Sequence, residues 1–182
     1  MVDLAKEMPI LARHEGVWDG TYTYFDANNE KIDEHASRLL CRMLDDDETP
    51  YHQTNHYRWA DGKYEIREFP ATYRDGRIWW DNELIQGWAA EVPLDDKNRT
   101  VMLYWQRTGD PSLYLYEQIQ ISDDGQNRCR TWHWIRDGKL ETRTAIQERF
   151  VTRDWKAMDE KIRAAKEQGR EVAFGGGRGF GG

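Results

Sequence analysis

Hydrophobic and polar positions alternate by twos over most of the chain. From Gly16 to Phe25 this puts Trp18, Gly20, Tyr22 and Tyr24 on one face, the period of a β-strand. A glycine on the face of a tryptophan predicts a strand that bends sharply, as barrel strands must. The strand-like runs are 17–25, 34–44, 52–59, 64–69, 77–80, 85–91, 100–107, 112–122, 128–136 and 139–150. Turn signals separate them, four being Asp61-Gly62, Asp75-Gly76, Asp124-Gly125 and Asp137-Gly138. Both residues of such a pair tolerate the positive φ of tight hairpins. Nine turns make ten strands in simple up-and-down order. No amphipathic helix interrupts them, which argues against a parallel βαβ sheet. An open sheet of this width would leave two long edges, and closure removes both. The expected fold is all-β, an up-and-down antiparallel β-barrel of about ten strands.

The period changes at both ends. Residues 8–14 read as a short helix with Pro9 in its first turn and Gly16 beyond its end. After Phe150, the residues Trp155, Met158, Ile162 and Ala165 share a helical stripe between Asp154, a candidate N-cap, and Gly169, a candidate stop. This C-terminal helix is expected outside the barrel or over one end. Residues 1–170 read as one domain, and 171–182 as a flexible Gly-rich tail.

Composition narrows the function classes. A chain of 182 residues suits one core. Nine Trp and nine Tyr fit a thin shell lined by large amphipathic rings. The net charge of −7 argues against a nucleic-acid partner, because phosphate contact needs a basic field. Only Cys41 and Cys129 occur, too few for a disulfide framework. No run approaches the roughly 18 apolar residues of a membrane span. Residues 1–6 lack a signal-type apolar core, so a cytoplasmic protein is expected. His52 and His56 lie too far apart along a strand for ready chelation. The acidic run 45–48 lacks the glycine and spacing of a calcium loop. No dinucleotide, P-loop or serine-hydrolase motif is present. Neither a metal nor a cofactor is expected.

Gly16-x-Trp18 on the first strand, after a short helix, resembles the opening motif of lipocalins and their calycin relatives. Arg149 stands where such barrels often carry an arginine packed over that tryptophan. The ten-strand layout with a trailing helix is similar to the fatty-acid-binding and nitrobindin-like branches and to bacterial lipocalin-like domains, over roughly residues 8–168. The mid-chain Thr-Asp-Tyr motif of secreted lipocalins is absent. Tyr22 replaces the last glycine of the nitrobindin pattern Gly-x-Trp-x-Gly-x-Gly. The resemblance implies a carrier of small apolar molecules, a cofactor-free decarboxylase, hydratase or isomerase, or a bilin lyase.

Turn registers assign faces. A two-residue loop at Asp61-Gly62 pairs Arg58 with Glu65 and Tyr57 with Ile66. That points Gln53, Asn55, Tyr57, Trp59, Tyr64, Ile66 and Glu68 inward, and leaves His52 and His56 as solvated surface. On the second strand, the set His35, Ser37, Leu39, Cys41 and Met43 is the more apolar and goes inside. On the last three strands, the chosen inner face holds Leu115, Glu117, Ile119, Arg130, Trp132, Trp134 and Arg143. The opposite face, with Tyr114, Tyr116, Gln118, Gln120, Thr131, His133, Thr142 and Thr144, is a candidate dimer surface.

These faces define the candidate chemistry. His35, with Glu68 or Glu117 nearby, is the candidate catalytic set, because desolvation brings such groups toward neutral pKa. His133 is the alternative histidine. Asn55, Tyr57, Trp105, Arg130, Trp132, Trp134 and Arg143 are the candidate ligand-binding residues. Glu117 either forms a structural ion pair with Arg130 or Arg143, or leaves one arginine free for a ligand carboxylate or phenolate. Three functions follow. The first is a cofactor-independent lyase, isomerase or hydratase acting on a small aromatic or apolar molecule. The second is a non-catalytic carrier of a small hydrophobic ligand. The third is an interaction module with a filled barrel.

Overall fold

The computed structural model describes residues 2–175. Ten strands follow in order: β1 (Gly16–Asp26), β2 (Lys31–Met43), β3 (Tyr51–Arg58), β4 (Tyr64–Arg74), β5 (Arg77–Asp81), β6 (Ile85–Val92), β7 (Thr100–Arg107), β8 (Asp110–Ile121), β9 (Asn127–Arg136) and β10 (Lys139–Thr152). Each pairs antiparallel with its neighbours in sequence, and β1 pairs with β10 to close the barrel. Closure leaves no strand edge unpaired.

The Asp-Gly turns are of two kinds. Asp75-Gly76 and Asp137-Gly138 take positive φ at both residues, the type I′ geometry. At Asp61-Gly62 and Asp124-Gly125 only the glycine does. At the former, the Trp59 amide donates to the Lys63 carbonyl at 3.0 Å and the Gly62 amide to the Trp59 carbonyl at 3.1 Å. This loop is longer than a type I′ turn and moves β4 by one residue, so Tyr57 pairs with Glu65 and Asn55 with Arg67. A shift of one reverses every side chain on the strand. Glu68, expected inside, is therefore outside, 58% exposed and bonded to His52 at 3.0 Å. Tyr64 and Ile66 are exposed with it, while Arg67 and Phe69 face the cavity.

A second displacement lies in β10. The turn sets Leu140 opposite Ile135, but the register shifts between Leu140 and Thr142. Glu141 is a bulge. Beyond it Arg143 lies opposite His133 and Thr144 opposite Trp132. Arg143, expected inside, faces out and donates to Asn29 Oδ1 at 2.5 Å. Thr144, expected outside, is buried within.

The core runs along the barrel axis. Trp18, Tyr22, Leu39, Cys41 and Leu115 are fully buried, and a large apolar side chain so placed contributes about 1.5–3 kcal/mol. Gly20 sits where β1 presses on β10; a Cβ there would collide with the Gln147 carbonyl and the Glu148 side chain.

The short helix α2 (Pro9–Ala12) stands within the stretch expected to be helical, and a further one, α1 (Leu4–Glu7), precedes it across Met8. Leu4, Met8 and Leu11 join the core. The Leu11 amide donates to Glu91 at 2.8 Å, Arg13 donates to the Ser122 carbonyl at 2.9 Å, and Trp18 Nε1 donates to the His14 carbonyl at 2.9 Å. These bonds tie the helices over one end of the barrel. The C-terminal helix α3 (Trp155–Glu167) is capped by Asp154, which accepts from the Ala157 amide at 3.0 Å. It lies on the outer wall at β1 and β2.

That cover changes the outer face. Arg38 is held by Asp19 through two bonds of 2.6 Å, and Arg42 by Thr54 at 2.6 Å with Trp155 5.3 Å away. His56, expected as solvated surface, is buried beside Arg38. Burial first, and then Arg38 and Arg42, push its pKa down to about 4. Residues 171–175 continue over this wall: Glu171 pairs with Arg58 at 2.8 Å, and Phe174 lies 4.8 Å from the Arg58 guanidinium. The rest of the expected Gly-rich tail, 176–182, falls outside the described residues. Gly20→Ala is expected to lower the unfolding free energy by about 1–3 kcal/mol, read as a lower urea midpoint at unchanged m-value.

Candidate functional site

The barrel encloses a cavity of about 640 Å³, a size typical of small-molecule sites. Trp80, Trp105, Trp132 and Trp134 line it together with Ile78, Val101 and Leu103, and Tyr24, Tyr51, Tyr57, Trp59 and Phe69 add further rings. Trp105 and Trp134 meet edge to face, 4.8 Å apart. Alternation on β7 and β9 puts these rings inside. The interior is hollow, not packed solid with tryptophan.

The opposite wall is polar but satisfied. Along β3 the Tyr51 hydroxyl donates to Gln53 at 2.9 Å, Gln53 Nε2 to Asn55 at 2.8 Å, and Asn55 Nδ2 to the Tyr57 hydroxyl at 2.6 Å. Residues two apart on a strand face the same way, so one strand carries the whole ladder.

Deeper inside, four charges interlock. Arg130 Nε donates to Glu117 at 2.5 Å, and Arg128 Nε to Glu148 at 2.5 Å. Arg130 also reaches Glu148 at 3.4 Å and the Tyr22 hydroxyl at 2.8 Å. All four charged residues are buried. Burial pushes the Glu117 carboxyl above its usual range, and the single guanidinium beside it does not undo this. Burial acts on Glu148 too, but two guanidiniums outweigh it and hold its pKa below the ordinary value. The Arg128 guanidinium lies 4.6 Å over the Trp18 ring. It takes the place expected of Arg149, which is exposed and lies opposite Asp19.

His35 is inside and buried, but stands behind the wall. Its ring lies 4.9 Å from Tyr22, 4.8 Å from Tyr57 and 4.4 Å from Trp59. Nε2 bonds to the Tyr24 hydroxyl at 3.1 Å, and Nδ1 lies 3.4 Å from the Ala36 carbonyl. Neither Glu68 nor Glu117 bonds to it. Burial lowers its pKa, so its neutral form is favoured. His133 is on the outer face, 5.0 Å from the Tyr116 ring.

Of the expected residues, Asn55, Tyr57, Trp105, Glu117, Arg130, Trp132 and Trp134 line one cavity. Glu68 and Arg143 do not reach it. Sequence reasoning missed Tyr24, Arg67, Arg107 and Glu148. Two of these had a readable signal: the alternation that puts Trp105 inside puts Arg107 there also, and Glu148 alternates with the buried Ile146. Among the described residues, no cluster of three or more His, Cys, Asp or Glu is placed to hold a metal ion. None of the described helices is long and apolar enough to cross a membrane.

The closed meander, the helical plug at the start of β1 and the internal cavity define a lipocalin-like barrel of the calycin type. Solved structures share this fold. The S-type phycobiliprotein lyase CPES from Guillardia theta superposes with a TM-score of 0.61 and 15% identity, over 79% of this chain and 92% of that one. Rv2717c from M. tuberculosis gives 0.56 and 16%, over 82% and 100%. A protein of unknown function from the DUF3598 family of Nostoc punctiforme gives 0.54 and 12%, over 78% of this chain and 49% of that one. The chain thus spans about half the length of the Nostoc protein. No family model matches the chain, and no curated protein matches its sequence.

Removing one member of the charge network strands the others. Glu148→Gln is expected to cost about 3–5 kcal/mol at neutral pH, measured by urea unfolding. The Glu148 pKa is lower folded than unfolded, so its contribution is full above the unfolded glutamate pKa. The difference between wild type and variant should shrink as pH falls through the folded value.

Proposed function

We propose that the protein is a carrier that binds a small, flat, largely apolar molecule inside its barrel. The observation behind this reading is a hollow of about 640 Å³ walled by rings, in which Glu117 is held by Arg130 and the polar side chains of β3 bond to one another. A catalytic centre needs a proton donor or acceptor that is poised and unsatisfied. Glu117 is held by Arg130, and Glu148 by Arg128. Burial lowers the His35 pKa, and no carboxylate bonds to its ring. The likeness to a phycobiliprotein lyase is one of fold, and no reaction passes from it to this chain.

Filling the hollow tests this reading. Ala89 is buried and lines the cavity. Ala89→Trp is expected to weaken binding of the neutral fluorophore 1-aminoanthracene by about tenfold or more. Near-UV CD and the unfolding midpoint serve as checks on the fold. Equal binding by both proteins would place the probe elsewhere and sink the reading.

One observation favours catalysis as a second reading. Tyr24 lines the cavity, and its hydroxyl is bonded to His35 Nε2, so a proton can pass between a bound molecule and the imidazole through the phenol. This is the cofactor-independent lyase, isomerase or hydratase. The co-purified molecule, identified by mass spectrometry, decides between the two. Recovery of that molecule unchanged after incubation with the protein supports the carrier. Conversion that disappears in His35→Ala, with near-UV CD retained, supports the enzyme.

A further inference from the structure

Three arginines line the cavity, and two of them are answered by carboxylates. Arg130 is held by Glu117 at 2.5 Å, and Arg67 by Glu65 at 2.8 Å. Arg107 is the last inward residue of β7. Among the described residues its side chain has no ion pair and no hydrogen bond, and its guanidinium carbon lies 5.9 Å from the ring centres of both Trp105 and Trp134. Burial lowers its pKa, and the Arg67 charge adds to the effect. Three nearby carboxylates are engaged, one of them Asp110, which lies opposite Arg107 on β8 and pairs with Arg136 at 3.1 Å. Asp33 accepts from Trp59 Nε1 at 3.1 Å, and Glu65 also takes Lys63 at 2.8 Å. Arg107 stands at the end away from the helices: Glu91, which holds the Leu11 amide, pairs with Val101, and the six residues from Val101 to Arg107 span about 20 Å.

A partly desolvated cation beside a like charge is costly until an anion answers it. From this placement we infer that the molecule held in the barrel carries a carboxylate, which Arg107 grips at the mouth with Arg67 alongside, while the apolar body lies among Trp105, Trp132 and Trp134. The inference rests on the cavity-binding reading above and names its ligand class. One unengaged guanidinium presents a planar fork that matches one carboxylate. A phosphate dianion would ask for a second free cation, and Arg67 is already taken by Glu65.

Three probes of one ring size test it: 1-naphthaleneacetic acid, 1-naphthaleneethanol and 1-naphthyl phosphate, each titrated at pH 7.5 and low salt by quenching of tryptophan fluorescence. The acid is expected to bind wild type about tenfold or more tightly than the alcohol. In Arg107→Gln the two should fall within about twofold of each other. Equal binding of acid and alcohol by wild type would overturn the carboxylate assignment and leave the cavity reading standing. So would a preference that survives in Arg107→Gln, or a phosphate that binds more tightly than the acid. Failure of all three probes to bind would overturn both.

Discussion

Two arginines inside a barrel constrain everything around them. Each brings a charge out of water at a cost of several kcal/mol unless paired with good geometry. Arg128 and Arg130 meet that condition through Glu148 and Glu117, which lie on the two strands flanking β9. The four charges sum to zero. Arg130 then reaches past β10 to Tyr22 on β1, and Arg128 covers Trp18 on the same strand. The strand that receives both contacts is the one that closes on β10. The network and the closed barrel therefore require each other: the charges need a sealed, precisely spaced surround, and the seam gains charge-assisted bonds besides its ladder.

The same pairing explains why the interior can be polar and still accept an apolar molecule. The β3 ladder from Tyr51 to Tyr57 satisfies its own donors. A ligand need not supply bonds to those groups, nor displace partners from them. What remains for it on most of the wall is ring and aliphatic surface. Only toward the mouth does an ionic group stand unanswered, and there the rings of Trp105 and Trp134 lie beside it. The site thus divides into a neutral, preorganised body and a charged end. That division suits an amphipathic guest more than a wholly apolar one.

Much of this was legible in the sequence. Ten strands, their order, closure and both helical ends follow from period and turn signals. The inner faces of β1, β2, β3, β8 and β9 follow from alternation, although the turn after β3 does not give the expected register. The errors share one cause, an extra residue that alternation cannot see. Asp61-Gly62 has the composition of a two-residue turn but forms a longer loop, with positive φ only at Gly62. That turned Glu68 outward and brought Arg67 in. At Asp137-Gly138 the turn is the expected one, and the slip comes at Glu141. That turned Arg143 outward and brought Thr144, Ile146 and Glu148 in. Arg149 failed by the same alternation, being one residue beyond Glu148. The arginine over Trp18 came instead from β9, a contact that skips over β10 and that no spacing within one strand reveals.

These slips also change what the interior can do. With Glu68 inside, His35 would have had a carboxylate to raise its pKa and share its proton. With Glu68 on the outer wall beside His52, His35 has a phenol and a carbonyl as partners, and burial favours its neutral form. One residue in one turn therefore separates a lining that resembles an acid-base centre from one that holds its titratable groups fixed. The imidazole instead packs among Tyr22, Tyr57 and Trp59 and bonds to Tyr24, and a side chain held on every side in this way fills a fixed place in the wall.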